Sequence, residues 1–179
     1  MIVGMSYKKV AEMSTRMNRA EMGVATPTSF QNKKTYFEFL SHFETRNLEK
    51  IKAGVLNHFD ASAKVNASHP INEAAQGTGY YSDIILPIAQ SLDGFTRQNY
   101  IVLGGEYQGT EWVTSTGYFY GHFIKPIFGI PPSNKMAFLR FGEFHKMENG
   151  KIIETHVYLG LAELIIALGL WPLSPNKGY

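Results

Sequence analysis

The sequence predicts an α+β domain in which helices cover one face of a curved, largely antiparallel sheet and leave a cavity between the layers. Three observations carry this. Apolar residues recur at helical spacing through the first half of the chain, and from Phe95 onward four runs are rich in aromatic and β-branched residues. Turn chemistry, above all the Asn149-Gly150 pair, separates those runs in the order of a meander. With 179 residues, 44% hydrophobic and 18% charged, the chain suffices for one core and is short for two.

Residues 1–33 read as an N-terminal extension and 34–179 as the domain. In the extension Tyr7, Val10, Met13, Met17 and Ala20 keep helical spacing, with Gly23 as a stop. Five of the seven methionines fall here, which suits an adaptable appendage, and Met5 could serve equally as the start. After the loop-like "ATPTSFQNKK", Thr35 and Glu38 form a T-x-x-E capping box at the head of a helix. Phe39, Leu40, Phe43, Leu48, Ile51, Val55, Leu56 and Phe59 continue one face, with a break near Thr45 to Asn47. That gives two consecutive helices or one kinked helix. "DASAKVNASHP" suits a short first strand stopped by Pro70. "GTGYYSDIILPIAQSLDG" has helical spacing, with Thr78 or Ser82 as cap, Pro87 as a bend or early end and Gly94 as the stop. Four long strands follow in "FTRQNYIVLGGEYQG", "TEWVTSTGYFYGHFI", "KMAFLRFGEFHKM" and "KIIETHVYLG", and "LAELIIALG" closes the chain as a short helix.

Composition removes several functions. Seventeen basic against fifteen acidic side chains, without a basic run, do not suit nucleic acid. The absence of cysteine excludes disulfides, a thiolate nucleophile and cysteine-ligated metal. Lys8 and Lys9 interrupt any signal-peptide core, and the apolar run "LIIALGLWPL" is half a membrane span, so a soluble cytoplasmic protein is the expectation. Pro70 keeps His69 and Glu73 from forming a helical metal-ligand pair, the "GTG" and "LGG" runs lack a nucleotide-loop context, and no G-x-S-x-G exists. Neither a metal nor a cofactor is expected.

The succession "HPINE", "EWVTSTGYFYG", "FGIPPSNK", "LRFGEFHKMENGKI" and "ALGLWPL" resembles the SnoaL-like polyketide cyclases, also called ester cyclases, of the nuclear-transport-factor-like superfamily. The resemblance spans about residues 36–176 and implies a cone-shaped fold wrapped around a central cavity. It also implies cofactor-independent acid/base closure of an oxygenated, largely apolar substrate. In that family the strand after the "GKI" turn carries E-x-W-x-x-x-D, whose Asp is the acid/base. Here the Trp position holds His156, the Asp position holds Gly160, and a family Gln in the last helix is replaced by Ala167. The resemblance therefore supports the scaffold more than the activity.

The Asn149-Gly150 turn also sets a register. A two-residue loop pairs Glu148 with Lys151, and uninterrupted pairing then sets His145 opposite Glu154, Glu143 opposite His156, Phe141 opposite Tyr158 and Leu139 opposite Gly160. The last four of these pairs share one face, and Phe144, Ile153, Val157 and Leu159 share the other. Which face lines the cavity is open from the pattern alone, and the resemblance assigns the Glu143–His156 face to it. A carboxylate fixing one imidazole nitrogen would free the other as a base, so Glu143 and His156 are the candidate catalytic pair. An opposed Glu and His are equally an ordinary cross-strand pair. Trp112, Tyr118, Tyr120, His122, Phe141 and Tyr158 are candidate ligand contacts beside the vacancy at Gly160, though the same aromatics could form a half-buried stripe. Two functions compete: a cyclase or isomerase with His156 as base, and a non-catalytic binder of a small molecule. A homodimer, through the sheet or through "LIIALGLWPL", is the expected assembly.

Overall fold

The structure, a computed structural model, describes residues 25–169. The N-terminal periodicity through Gly23 and the end of "LIIALGLWPL" lie outside them. Helix α1 (Pro27–Glu44) begins earlier than Thr35, inside the stretch expected to be a loop. Thr26 is its N-cap, Pro27 stands where a missing N–H costs nothing, and the Thr26 and Ser29 side chains cap each other's backbone N–H groups. Glu111 accepts from both hydroxyls, at 2.6 Å from Thr26 and 2.8 Å from Ser29, which clamps the helix start to the sheet. The helix thus runs through the expected boundary at residues 33 and 34. The break near Thr45 is real: Asn47 caps α2 (Leu48–His58), accepting from Glu49 and Lys50.

Strand β1 (Phe59–Ala67) follows. A single π-helical turn (Tyr80–Ile85) leads into α3 (Leu86–Ser91), with Pro87 in the first turn of the α segment, where it is tolerated. Neither Thr78 nor Ser82 caps the π turn, and Gly94 is not the stop. The chain enters β2 (Leu92–Tyr107) at Leu92, and Gly94 takes a φ of 72° where β2 bulges against β3. Strands β3 (Thr110–Phe123), β4 (Met136–Glu148) and β5 (Lys151–Leu159) complete the meander, and α4 (Leu161–Ala167) follows. The sheet order is β1-β5-β4-β3-β2 with β1 parallel to β5, so the sheet is mixed. Gln108-Gly109 and Asn149-Gly150 make the two tight hairpins with positive φ at both central residues.

One residue changes the register predicted for the last hairpin. Glu148 pairs with Lys151 and Met147 with Ile152, but Lys146 then pairs with Glu154, leaving Ile153 as a bulge. Beyond it His145 faces Thr155, Phe144 faces His156, and Glu143 faces Val157. The apolar pattern accounts for the slip. Ile152, Val157 and Leu159 are all buried, and strict alternation cannot put residues five apart on one face. The bulge turns Thr155, Val157 and Leu159 inward under the helices and His156 and Tyr158 outward.

The core sits between the helices and this inner face. Tyr36, Phe39 and Phe43 of α1 meet Phe119, Leu139 and Phe141 of the sheet. Strand β2 approaches β3 closely beside the irregularity in their pairing between Asn99 and Ile101: at Gly117, opposite Asn99, an added Cβ would lie 1.9 Å from the Gln98 carbonyl oxygen. Gly117→Ala is expected to destabilise the fold by on the order of 3 kcal/mol, because the obstacle is backbone. A urea midpoint within error of the parent would show that β2 does not make this close approach.

Candidate functional site

Polar side chains gather around Glu143 on the inner face. The Glu143 carboxylate is fully buried. Its Oε2 accepts from Arg97 Nη2 at 2.6 Å and from Tyr36 at 3.0 Å, and its Oε1 accepts from Tyr80 at 2.7 Å. His145 Nε2 lies 3.2 Å from Oε2, and His145 Nδ1 lies 2.8 Å from the Thr155 hydroxyl. A carboxylate can only accept, so Nε2 carries a proton, and where Nδ1 carries none Thr155 donates to it. Ser115 bonds the Tyr36 hydroxyl at 2.7 Å.

The fold delivers these groups from six places. Tyr36 comes from α1, Tyr80 from the π turn, Arg97 from β2, Ser115 from β3, Glu143 and His145 from β4, and Thr155 from β5. The Arg97 guanidinium lies over the rings of Phe141, Phe43 and Phe119, at 4.5, 4.8 and 5.5 Å from their centroids. Its Nε donates to Asn99 Oδ1 at 3.0 Å, and Asn99 Nδ2 is buried without a partner.

Charge in this interior is held by pairing. Burial alone would raise the pKa of Glu143. The Arg97 charge and the His145 hydrogen bond overcome it and hold the group well below the usual carboxylate range. Arg97, which burial would push down, is raised by Glu143. Burial pushes the Tyr36 and Tyr80 phenols up, so both stay protonated donors.

The expected site residues divide between the two faces. Phe141 lies on the inner face with Glu143, whereas His156 lies on the outer face, so the Glu143–His156 pair does not form. Each acid instead meets the histidine two residues along its own strand: Glu143 meets His145, and Glu154 Oε1 lies 2.8 Å from His156 Nε2. Trp112 and Tyr158 join His156 around an open outer groove of about 730 Å³. Tyr118 accepts a hydrogen bond from Arg140 and donates to Glu163 at 3.1 Å, Tyr120 stacks on Phe138, and His122 is exposed at the strand end. Gly160 donates its N–H to the Arg140 carbonyl, and an added Cβ there would lie 3.1 Å from Arg140 Cβ. Tyr36, Tyr80, Arg97, Ser115 and Thr155 were not anticipated. Two signals were available: Tyr36 keeps the spacing of Phe39 and Phe43, and Arg97 alternates in phase with Phe95.

Among the described residues no three His, Asp or Glu side chains come together as metal ligands do, and no helix is long and apolar enough to cross a membrane. No family model matches the chain, and no curated protein matches it. Solved structures do. A protein from a Jannaschia species assigned as a SnoaL-like polyketide cyclase superposes with a TM-score of 0.62 at 15% identity, covering 84% of this chain and 98% of that one. An NTF2-like protein of unknown function from Burkholderia pseudomallei gives 0.57 at 14% identity over 76% and 96% of the two chains. TerC, co-crystallised with polyporic acid, gives 0.53 at 12% over 77% and 98%. The chain therefore has the cone fold shared by SnoaL-like polyketide cyclases and NTF2-like proteins.

Removing the Glu143 charge strands Arg97 in the interior, so Glu143→Gln is expected to cost about 3–5 kcal/mol near pH 7. Because the folded-state pKa is depressed, this stabilisation is complete above the unfolded value of about 4.3 and disappears as pH falls through the folded value. The gap between parent and variant should narrow below about pH 4 in urea titrations. A gap that does not change with pH would contradict the charged assignment.

Proposed function

We propose that this chain binds a small, largely apolar, oxygenated molecule between its helices and sheet and performs cofactor-independent acid/base chemistry on it, of the cyclisation or isomerisation type. In this reading His145 takes the base role expected of His156, through the Nδ1 lone pair reached by way of the Thr155 hydroxyl, and Glu143 keeps the positioning role expected of it. The observation that carries the reading is the composition of the cluster. A carboxylate, an imidazole, a guanidinium and two phenols converge in an otherwise aromatic interior, although buried charge is a poor way to gain stability and is common at functional sites. The unpartnered Asn99 Nδ2 beside Arg97 is a further donor suited to a ligand oxygen. Arg97, Tyr36 and Tyr80 are donors able to stabilise an enolate oxygen once the ligand takes their hydrogen bonds from Glu143. TerC, co-crystallised with polyporic acid, supports a ligand role for the fold.

The second reading is a binder without chemistry. It is favoured by the completeness of the cluster, since both Glu143 oxygens already have partners and neither Glu143 nor His145 is exposed. Mass spectrometry of small molecules released from purified protein, before and after long incubation, separates the two. Conversion by the parent and its loss in His145→Ala is the expected result. An unchanged compound supports the binder, and equal conversion by parent and His145→Ala removes the base assignment.

The reading includes a second copy of the chain on the outer face, around Tyr120, Met136 and Phe138, where Met136 and Phe138 are 49% and 51% exposed. Sedimentation should show a dimer that Phe138→Glu converts to monomer. A parent that stays monomeric at high concentration would remove this part.

A further inference from the structure

We propose that the groove on the outer face of the sheet is a second ligand site, separate from the buried cluster, which takes a flat aromatic ring with an O–H or N–H donor at its edge. Strand register builds the hollow. Gly105 pairs with Trp112 and Gly142 with Tyr158, so each large ring has a neighbour without a side chain. Between those positions Leu103, Thr114, Phe144 and His156 form one row across four strands. At about 730 Å³ the volume falls within the roughly 300–1,000 Å³ of small-molecule sites, and the rings of Tyr107, Trp112, Phe144, His156 and Tyr158 line it. Trp112 and His156 lie 6.4 Å apart with planes 40° from parallel, and Phe144 meets Tyr158 edge-on at 6.0 Å.

The polar groups define the edge chemistry. Thr114 donates its hydroxyl proton to the Glu143 carbonyl at 2.7 Å and has none left for a ligand. Glu154 accepts from His156 Nε2 at 2.8 Å, so in the neutral ring Nδ1 is a lone-pair acceptor. Its complement is a donor. Glu106 at the rim makes an anionic edge the poorer fit.

The test compares 2-naphthol with 2-methoxynaphthalene, which keeps the rings and lacks the donor. The full chain is titrated with each, and NMR follows the Trp112 indole N–H and the His156 ring. Saturable shifts at both residues are expected, with 2-naphthol about three- to tenfold tighter, the range for one hydrogen bond. His156→Phe should keep binding and erase the preference. Trp112→Ala should weaken both compounds, while thermal unfolding of each variant confirms that it folds. Absence of binding, or a preference that survives His156→Phe, overturns the proposal. So does a dimer that Trp112→Ala dissociates, because a second copy would then fill the groove. Binding seen only after removal of residues 1–24 would assign the groove to that segment and overturns the proposal equally.

Discussion

The Arg97 guanidinium and the Glu143 carboxylate meet at 2.6 Å with 1% and 0% of their side chains exposed, and most of the interior is arranged around that contact. Two desolvated charges are costly unless their geometry is good and their remaining donors and acceptors are filled. Both conditions impose structure elsewhere. Arg97 needs ring faces, which Phe43, Phe119 and Phe141 supply from three elements. Glu143 needs donors, which require Tyr36 to come from the middle of α1 and Tyr80 from the start of the π turn. His145 extends the chain of contacts to Thr155 on β5. One carboxylate therefore ties four strands, the first helix and the π turn together, and displacing any of them leaves part of the cluster unpaired.

The bulge at Ile153 decides which residues take part. Before it, the Asn-Gly turn dictates pairing; after it, every side chain of β5 has changed face. Without the extra residue Glu154, His156 and Tyr158 would enter the core beside Glu143, and Thr155, Val157 and Leu159 would face outward. The cost of that alternative is evident. Two aliphatic residues would leave the core while a second acid and a second histidine entered an interior that already holds a full set of polar partners. Apolar burial thus selects the register, and the register selects Glu143–His145 over Glu143–His156.

Much of the fold was legible in the sequence because its signals are local. The break at Asn47, the four long strands, both hairpins and the last helix each depend on caps, alternation or turn residues within a few positions. The start of α1 was misplaced because "ATPTSFQNKK" has loop composition, while Thr26 and Pro27 form a better helix start than Thr35 does. The candidate site was legible only in part. Alternation put Glu143 and Phe141 on one face and only the resemblance turned that face inward, while the partners of Glu143 are up to 107 residues away, and no short-range pattern brings Tyr36 or Arg97 to it. The bulge defeated the rest, since it depends on the burial of Ile152, Val157 and Leu159 together rather than on the turn that begins the strand.

Each face of the sheet departs from the usual distribution of polarity. The inner face buries an ion pair, an imidazole and two phenols, while the outer face leaves Leu103, Phe138, Phe144 and Tyr158 about half exposed. Scattered surface hydrophobics are ordinary, but these lie on one face of adjacent strands, and a contiguous apolar surface is characteristic of binding. Curvature connects the two arrangements. Bending the sheet around the helices needs Gly117 and Gly121 where backbones approach, and the side-chain gaps at Gly105 and Gly142 open a hollow among the rings outside. A flat sheet with larger residues at these positions would lose both the enclosed cluster and the groove. The small residues of the strands therefore shape the enclosed cluster and the outer groove as much as the charged residues do.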